Sequence, residues 1–229
     1  MKYVMSDIHG CYDKYEKMIR KINLKEEDKL YILGDVVDRG PEPVKILEDM
    51  MERPNVVPMI GNHDMFALMV MESLDLDDES AKPSIRTMNR LFDWFSGGGK
   101  TTLDAFKKLD HEKRSRLFSY LRKMSVYELC DTGDRTFFLC HAGLGNYRKD
   151  KRIDDYKTYE FVETRPDPEI RYFEGDSVFL VCGHTPTACF TGGDNRIYHK
   201  NGNIFIDCGA VQGGKLGCLC LDTFEEYYV

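Results

Sequence analysis

Five short apolar runs in this chain stop abruptly at residues able to bind metals. YVM runs into SDIHG, which supplies Asp7 and His9; LYIL runs into GDVVDRG, with Asp35, Asp38 and Arg39. VVPMI runs into GNHD, with Asn62, His63 and Asp64; TFFLC runs into HAGLG, with His141; VFLVC runs into GHTPT, with His184. A lone Asp after a strand is usually a helix cap, and a lone histidine is usually a surface or satisfied core residue. Those plain explanations weaken when four of the six histidines sit at the ends of such runs. Carboxylates crowded together repel one another and take up protons unless cations neutralise them. The chemistry implied is a site for two metal ions.

The residues need a scaffold that gathers them. Short runs of β-branched and aromatic residues closed by glycine read as buried strands. In open α/β sheets, ligands bind beyond the carboxyl ends of the strands, so five such ends are expected to converge. Helical spacing marks residues 12–22, and 42–52 after Pro41. The stretch 65–124 reads as mostly helical, in segments 65–73, 86–95, 101–109 and 111–124. Strands are expected near 126–130, 136–140, 203–207 and 217–221, with Asn201-Gly202 as a turn.

The chain has 229 residues, 42% hydrophobic and 31% charged, which fits a single α/β domain over 1–229. A net charge of −7 offers no broad basic field, so no nucleic-acid partner is expected. The N-terminal apolar run is too short for a signal peptide, and nothing approaches a membrane span. No membrane association and a cytoplasmic location are therefore expected. The eight cysteines are scattered and read as reduced core thiols. Cys218 and Cys220 would share one strand face, with core packing favoured over metal binding. His111 and His199 read as ordinary side chains. Residues 75–82, DLDDESAK, read as an acidic, solvated loop.

Taken together, DxH, GDxxDRG, GNHD, HAG and GHT resemble the metallophosphoesterases of the calcineurin-like superfamily. GDVVDRG is most similar to the PPP-type phosphatases, which include serine/threonine protein phosphatases and symmetrical diadenosine tetraphosphatases. The resemblance spans residue 5 to about 210. Ser6 stands where that family usually has Gly, and Asp64 where this branch usually has Glu. The resemblance implies two facing mixed β-sheets flanked by helices, an αββα sandwich, with 65–124 beside the cleft. It implies that Asp7 and His9 hold one metal, that Asp35 bridges, and that Asn62, His141 and His184 hold the second. Oxygen and nitrogen donors of this kind suit Mn, Fe or Zn; Cys11, Cys140 and Cys182 match no ligand position.

The implied reaction is hydrolysis of a phosphate ester by a water activated between two metals. His63 would be the general acid and Asp38 would orient it. Arg39 and Asn62 would bind the phosphate, joined by a second arginine. Arg165 in FVETRP is the choice for that arginine and Arg171 the fallback; Glu163 stands where the family has an aromatic residue. Between a phosphoprotein and a dinucleoside polyphosphate as substrate, the reading leans to the phosphoprotein.

One stretch, WFSGGGKTT at 94–102, invites a different reading. A phosphate-binding G-x-x-x-x-G-K-[ST] loop needs a glycine at 94 and a preceding strand. Residue 94 is Trp94, and the preceding segment has helical character, so a nucleoside triphosphatase is excluded. The stretch looks like the W-x-x-N-G-G-x-x-T of bacterial PPP relatives, with Ser96 in place of Asn. It is expected to face the cleft and to let Lys100 touch substrate beyond the reacting phosphate.

Overall fold

The computed structural model describes residues 1–74, 76 and 82–229. The acidic stretch 75–82 lies outside them, apart from its second and last residues. Among the described residues, ten strands are β1 (Lys2–Met5), β2 (Lys29–Ile32), β3 (Val56–Pro58), β4 (Tyr127–Asp131), β5 (Thr136–Cys140), β6 (Val178–Cys182), β7 (Tyr198–Lys200), β8 (Asn203–Phe205), β9 (Gly217–Cys220) and β10 (Glu226–Tyr228). Helices are α1 (Tyr12–Lys21), α2 (Pro43–Glu52), α3 (Asn62–Met71), α4 (Ile85–Ser96), α5 (Lys100–Phe106), α6 (His111–Arg122), α7 (Thr158–Val162) and α8 (Ala188–Thr191).

The strands form two five-stranded sheets, ordered β10-β9-β1-β2-β3 and β4-β5-β6-β8-β7. Each has a parallel trio at its heart: β1, β2 and β3 in one, β5, β6 and β8 in the other. Antiparallel strands flank the trios. The pleat sends alternate side chains to opposite faces. Val4, Tyr31, Phe137, Leu139, Val181, Ile204 and Leu219 fill the space between the sheets. Their neighbours Met5, Ile32, Phe138, Leu180, Cys182, Cys218 and Cys220 belong to the core under the helices. Strands buried on both faces need apolar residues at every position, which is why the strand sequences read as unbroken runs.

Chirality and backbone supply the turns. Asn201 and Gly202 have φ of 50° and 76°, the paired left-handed geometry of a two-residue hairpin between β7 and β8. α3 starts three residues earlier than its apolar spacing suggests. The Asp64 carboxylate accepts the Gly61 N–H at 3.0 Å, capping the helix so that Asn62 and His63 fall in its first turn. Two short elements, α7 and α8, carry too few residues for periodicity to show. Among the described residues, no helix is long and apolar enough to cross a membrane.

Candidate active site

All six strands of the two parallel trios end at the same place. The residues that follow them are Asp7, Asp35, Asn62, His141, His184 and Asp207. A pocket of about 430 Å³ collects Asp7, Asp35, Arg39, Asn62, His63, Arg165, His184 and Asp207 on its walls. Asp207 escaped the sequence reading, although IFIDCG resembles the other five: an apolar run closed by a potential metal donor close to a glycine.

Asp35 lies at the centre. Its Oδ2 is 3.4 Å from His9 Nε2 and its Oδ1 is 3.4 Å from His141 Nε2. The donor atoms fall into two triads, His9–Asp35–His63 and Asp35–His141–His184, which share Asp35. The sequence grouped Asp7 with His9. In the structure Asp7 Oδ2 accepts the His184 backbone N–H at 3.0 Å, a bond that uses one oxygen and leaves Oδ1 available to a cation beside His9.

Backbone carbonyls fix the orientation of two rings. His9 Nδ1 donates to Val37 O at 2.9 Å and His141 Nδ1 donates to Leu33 O at 2.8 Å. With the proton on Nδ1, each Nε2 lone pair points inward, the arrangement that outer hydrogen bonds impose on metal-binding histidines. His141 Nε2 also lies 3.0 Å from Asn62 Oδ1. Nε2, the Asn62 oxygen and the Asp35 oxygen are all acceptors, and acceptors brought together in a buried space call for a cation. The residues therefore fit divalent ions.

The electrostatics agree. Burial, reinforced by mutual repulsion, pushes Asp7 up to about 6. Burial likewise raises Asp35 to about 6, against the pull of His63 and Arg39. Burial drives the Asp207 carboxyl up as well, with the charge of Asp7 adding to it. His184 is pushed down to about 3, by burial first and then by His141 and Arg165. Burial also lowers His9 and His141. Neutral imidazoles beside carboxylates that resist ionisation form a site completed by positive ions.

His63 behaves differently. Burial opposes its charge, but the Asp38 hydrogen bond and the Asp35 charge outweigh burial and raise its pKa. Its Nδ1 meets Asp38 Oδ2 at 2.8 Å. Arg39 donates from Nη1 to His9 Nε2 and from Nη2 to His63 Nε2, both at 2.8 Å.

Arg165 is exposed on the pocket wall. The fallback, Arg171, lies elsewhere, donating to the Phe173 carbonyl at 3.1 Å. Lys100 does not reach the pocket. It is a surface residue of α5 whose ammonium pairs with Asp104 one turn along, so the expected substrate contact is corrected. The glycines do face the site: a Cβ on Gly97 would lie 3.5 Å from His63 Cε1. Cys140, Cys182, Cys218 and Cys220 are buried free thiols in the cores.

The family model for calcineurin-like phosphoesterases matches residues 3–208. The chain belongs to that family. A bis(5'-nucleosyl)-tetraphosphatase PrpE, asymmetrical, from Bacillus mycoides is 25% identical and is covered over 94% of its length by all of this chain. The enzyme of the same name from a Geobacillus strain is 26% identical, over 93% of this chain and 87% of its own. The fold matches the crystal structure of a candidate diadenosine tetraphosphatase, with a TM-score of 0.69 at 17% identity over 100% of this chain and 92% of the other. It also matches a serine/threonine phosphatase from Saccharomyces cerevisiae, with a TM-score of 0.57 at 12% identity over 95% and 71%. The phosphoesterase fold is thus common to both substrate classes and does not choose between them.

Proposed function

We propose that the protein is a metal-dependent hydrolase of dinucleoside polyphosphates. The observation that carries this reading is the likeness over the whole chain to bis(5'-nucleosyl)-tetraphosphatases named as asymmetrical, where the sequence alone leaned to a phosphoprotein. The pocket is compatible with it: two guanidinium groups, Arg39 and Arg165, stand on the wall that holds the Asp/His cluster. Among the described residues, Arg165 has no carboxylate partner, which leaves it open to phosphate oxygens.

Asp7, His9, Asp35, Asn62, His141 and His184 are the residues that would hold two divalent ions, of which Mn suits the donors. When bound, such ions polarise phosphoryl oxygens and lower the pKa of water. The chain's own residues do the rest. Arg39 and Arg165 bind non-bridging phosphate oxygens and fix the reacting phosphorus. Asp38 holds the Nδ1–H of His63, so that Nε2 faces the pocket. In the structure Nε2 accepts from Arg39; with Arg39 turned to phosphate, His63, its pKa raised, carries a proton at Nε2 and gives it to the departing oxygen.

Hydrolysis of diadenosine tetraphosphate and of a phosphoserine/phosphothreonine peptide panel, side by side with Mn²⁺, tests the substrate. Faster turnover of the dinucleotide into two unequal nucleotides is expected. Two equal products would move the cleavage to the symmetrical position. A kcat/KM higher on the peptides would overturn the reading in favour of a protein phosphatase.

A further inference from the structure

We infer that Trp94 and Thr102 are positioning residues for proton transfer at His63, and that the glycines between them exist to let both reach Asp38. This rests on the reading of His63 as the proton donor.

Asp38 is fully buried and its carboxylate is held from three sides. The Trp94 ring N–H donates to Oδ2 at 2.8 Å, and the Thr102 hydroxyl donates to Oδ1 at 2.7 Å. His63 Nδ1 meets Oδ2 at 2.8 Å. The Thr102 oxygen also accepts the backbone N–H of Asp38 at 2.8 Å. One hydroxyl therefore ties the Asp38 backbone to its own carboxylate, while the indole secures the other oxygen. The carboxylate cannot turn without breaking one of these bonds. With it fixed, the Nδ1 bond sets the plane of the His63 ring and the direction of Nε2.

Trp94 lies in the last turn of α4 and Thr102 in the first turn of α5, so the glycine run is the junction between them. A Cβ on Gly99 would sit 2.2 Å from Trp94 Nε1, inside the indole's own space. Any side chain there would push the ring off Asp38. Gly98 has φ of 101° and its carbonyl accepts the Arg39 N–H at 3.0 Å. A Cβ on it would come within 2.7 Å of Arg39 Cγ. Left-handed geometry and close approach both demand glycine. The run is clearance around the Asp38–Arg39 turn, and no phosphate cradle is needed to explain it. A phenylalanine keeps an aromatic ring at this buried position but is smaller and lacks the N–H that meets Asp38, so the His63→Asn background is what separates lost packing from lost positioning.

The test is steady-state hydrolysis of diadenosine tetraphosphate with Mn²⁺ by Trp94→Phe, Thr102→Val, Thr102→Ser, His63→Asn and the pair Trp94→Phe/His63→Asn. Trp94→Phe and Thr102→Val should each lower kcat about tenfold or more, within the ~10²–10⁴ that a general acid supplies, with KM little changed. Thr102→Ser should restore the rate. Groups acting through one another are not additive, so Trp94→Phe should cost nothing further once His63 is gone. An undiminished loss in the His63→Asn background would overturn the inference and reduce Trp94 to a core side chain. If Trp94→Phe does not fold, Thr102→Val/His63→Asn makes the same comparison. Wild-type kcat in His63→Asn alone would instead remove the proton donor itself, and the inference with it.

Discussion

Asp64 grips Asp35 by its backbone: the Asp64 carboxylate accepts the Asp35 N–H at 2.7 Å. The same carboxylate accepts the N–H groups of Val36 at 3.0 Å, Val37 at 3.1 Å and Gly61 at 3.0 Å. Four buried donors thus converge on one side chain, and the loop after β2 is locked to the start of α3. Asp35 and Asn62 are carried by the two halves of this lock.

Asp64→Ala should therefore destabilise the fold strongly, since each buried donor left unpaired costs ~1–3 kcal/mol. Asp64→Asn should fall between, because its amide group supplies one acceptor and one misplaced donor. Urea titration measures the stability and metal analysis the site. A stable Asp64→Ala protein with full metal content would show that the lock is dispensable.

Metal uptake should depend on pH in a defined sense. Asp7 and Asp35 are held at about 6, whereas ligands must be ionised to bind. Both are raised, so the metal-free protein retains protons up to that pH and must release them on loading. His184, held at about 3, is already neutral throughout this window. Calorimetric titration with Mn²⁺ should show proton release that is small at about pH 8 and grows as pH falls through about 6, with affinity falling as pH drops. Affinity that stays flat from about pH 8 to about pH 5.5 would contradict the burial of these carboxylates.

His63→Asn should reduce hydrolysis of diadenosine tetraphosphate by ~10²–10⁴-fold and bind metal normally. An aryl leaving group needs no proton, so p-nitrophenyl phosphate should suffer much less. Equal losses on both substrates would count against proton donation.

Arg165→Ala should raise KM for diadenosine tetraphosphate by about tenfold, as loss of one charge-assisted contact predicts. Arg171→Ala should leave KM alone, because its guanidinium serves the Phe173 and Gly175 carbonyls. Lys100→Ala should also leave KM alone, its ammonium being engaged with Asp104 on the surface. A larger KM effect from Arg171 or Lys100 than from Arg165 would reverse the assignment of the pocket wall.

The parallel trios were legible in the sequence because burial on both faces demands unbroken apolar runs, and the polar residues that close them mark the strand ends. Asp7, Asp35, Asn62, His141 and His184 could be found that way. The sharing of Asp35 was implied by the family resemblance, but which of its oxygens meets which ring is encoded by no spacing. Asp207 lay in a similar signal but belongs to the sixth such end, where no histidine drew attention to it. Asp64 read as a departure from a family pattern, and its four backbone partners come from two loops distant in sequence. Lys100 misled because a lysine after three glycines suggests phosphate, while its place on α5 gives it a carboxylate one turn away. The pairing of Trp94 with Asp38, 56 positions apart, exists only once α4 has packed.

The backbone itself carries a last consequence. Six of the ten non-glycine residues with positive φ among the described residues are Asp7, His9, Asp35, Asp38, Arg39 and His184. Left-handed backbone disfavours L-residues by roughly 1–2 kcal/mol each, and glycine would sit there at ease. A copy of this chain released from selection for turnover would relieve that strain by drifting to glycine at Arg39, whose side chain is exposed, and lose its chemistry in the same step. Stability screens alone would thus reward the dismantling of the site, and a thermostable variant of this protein needs an activity assay beside every melting curve.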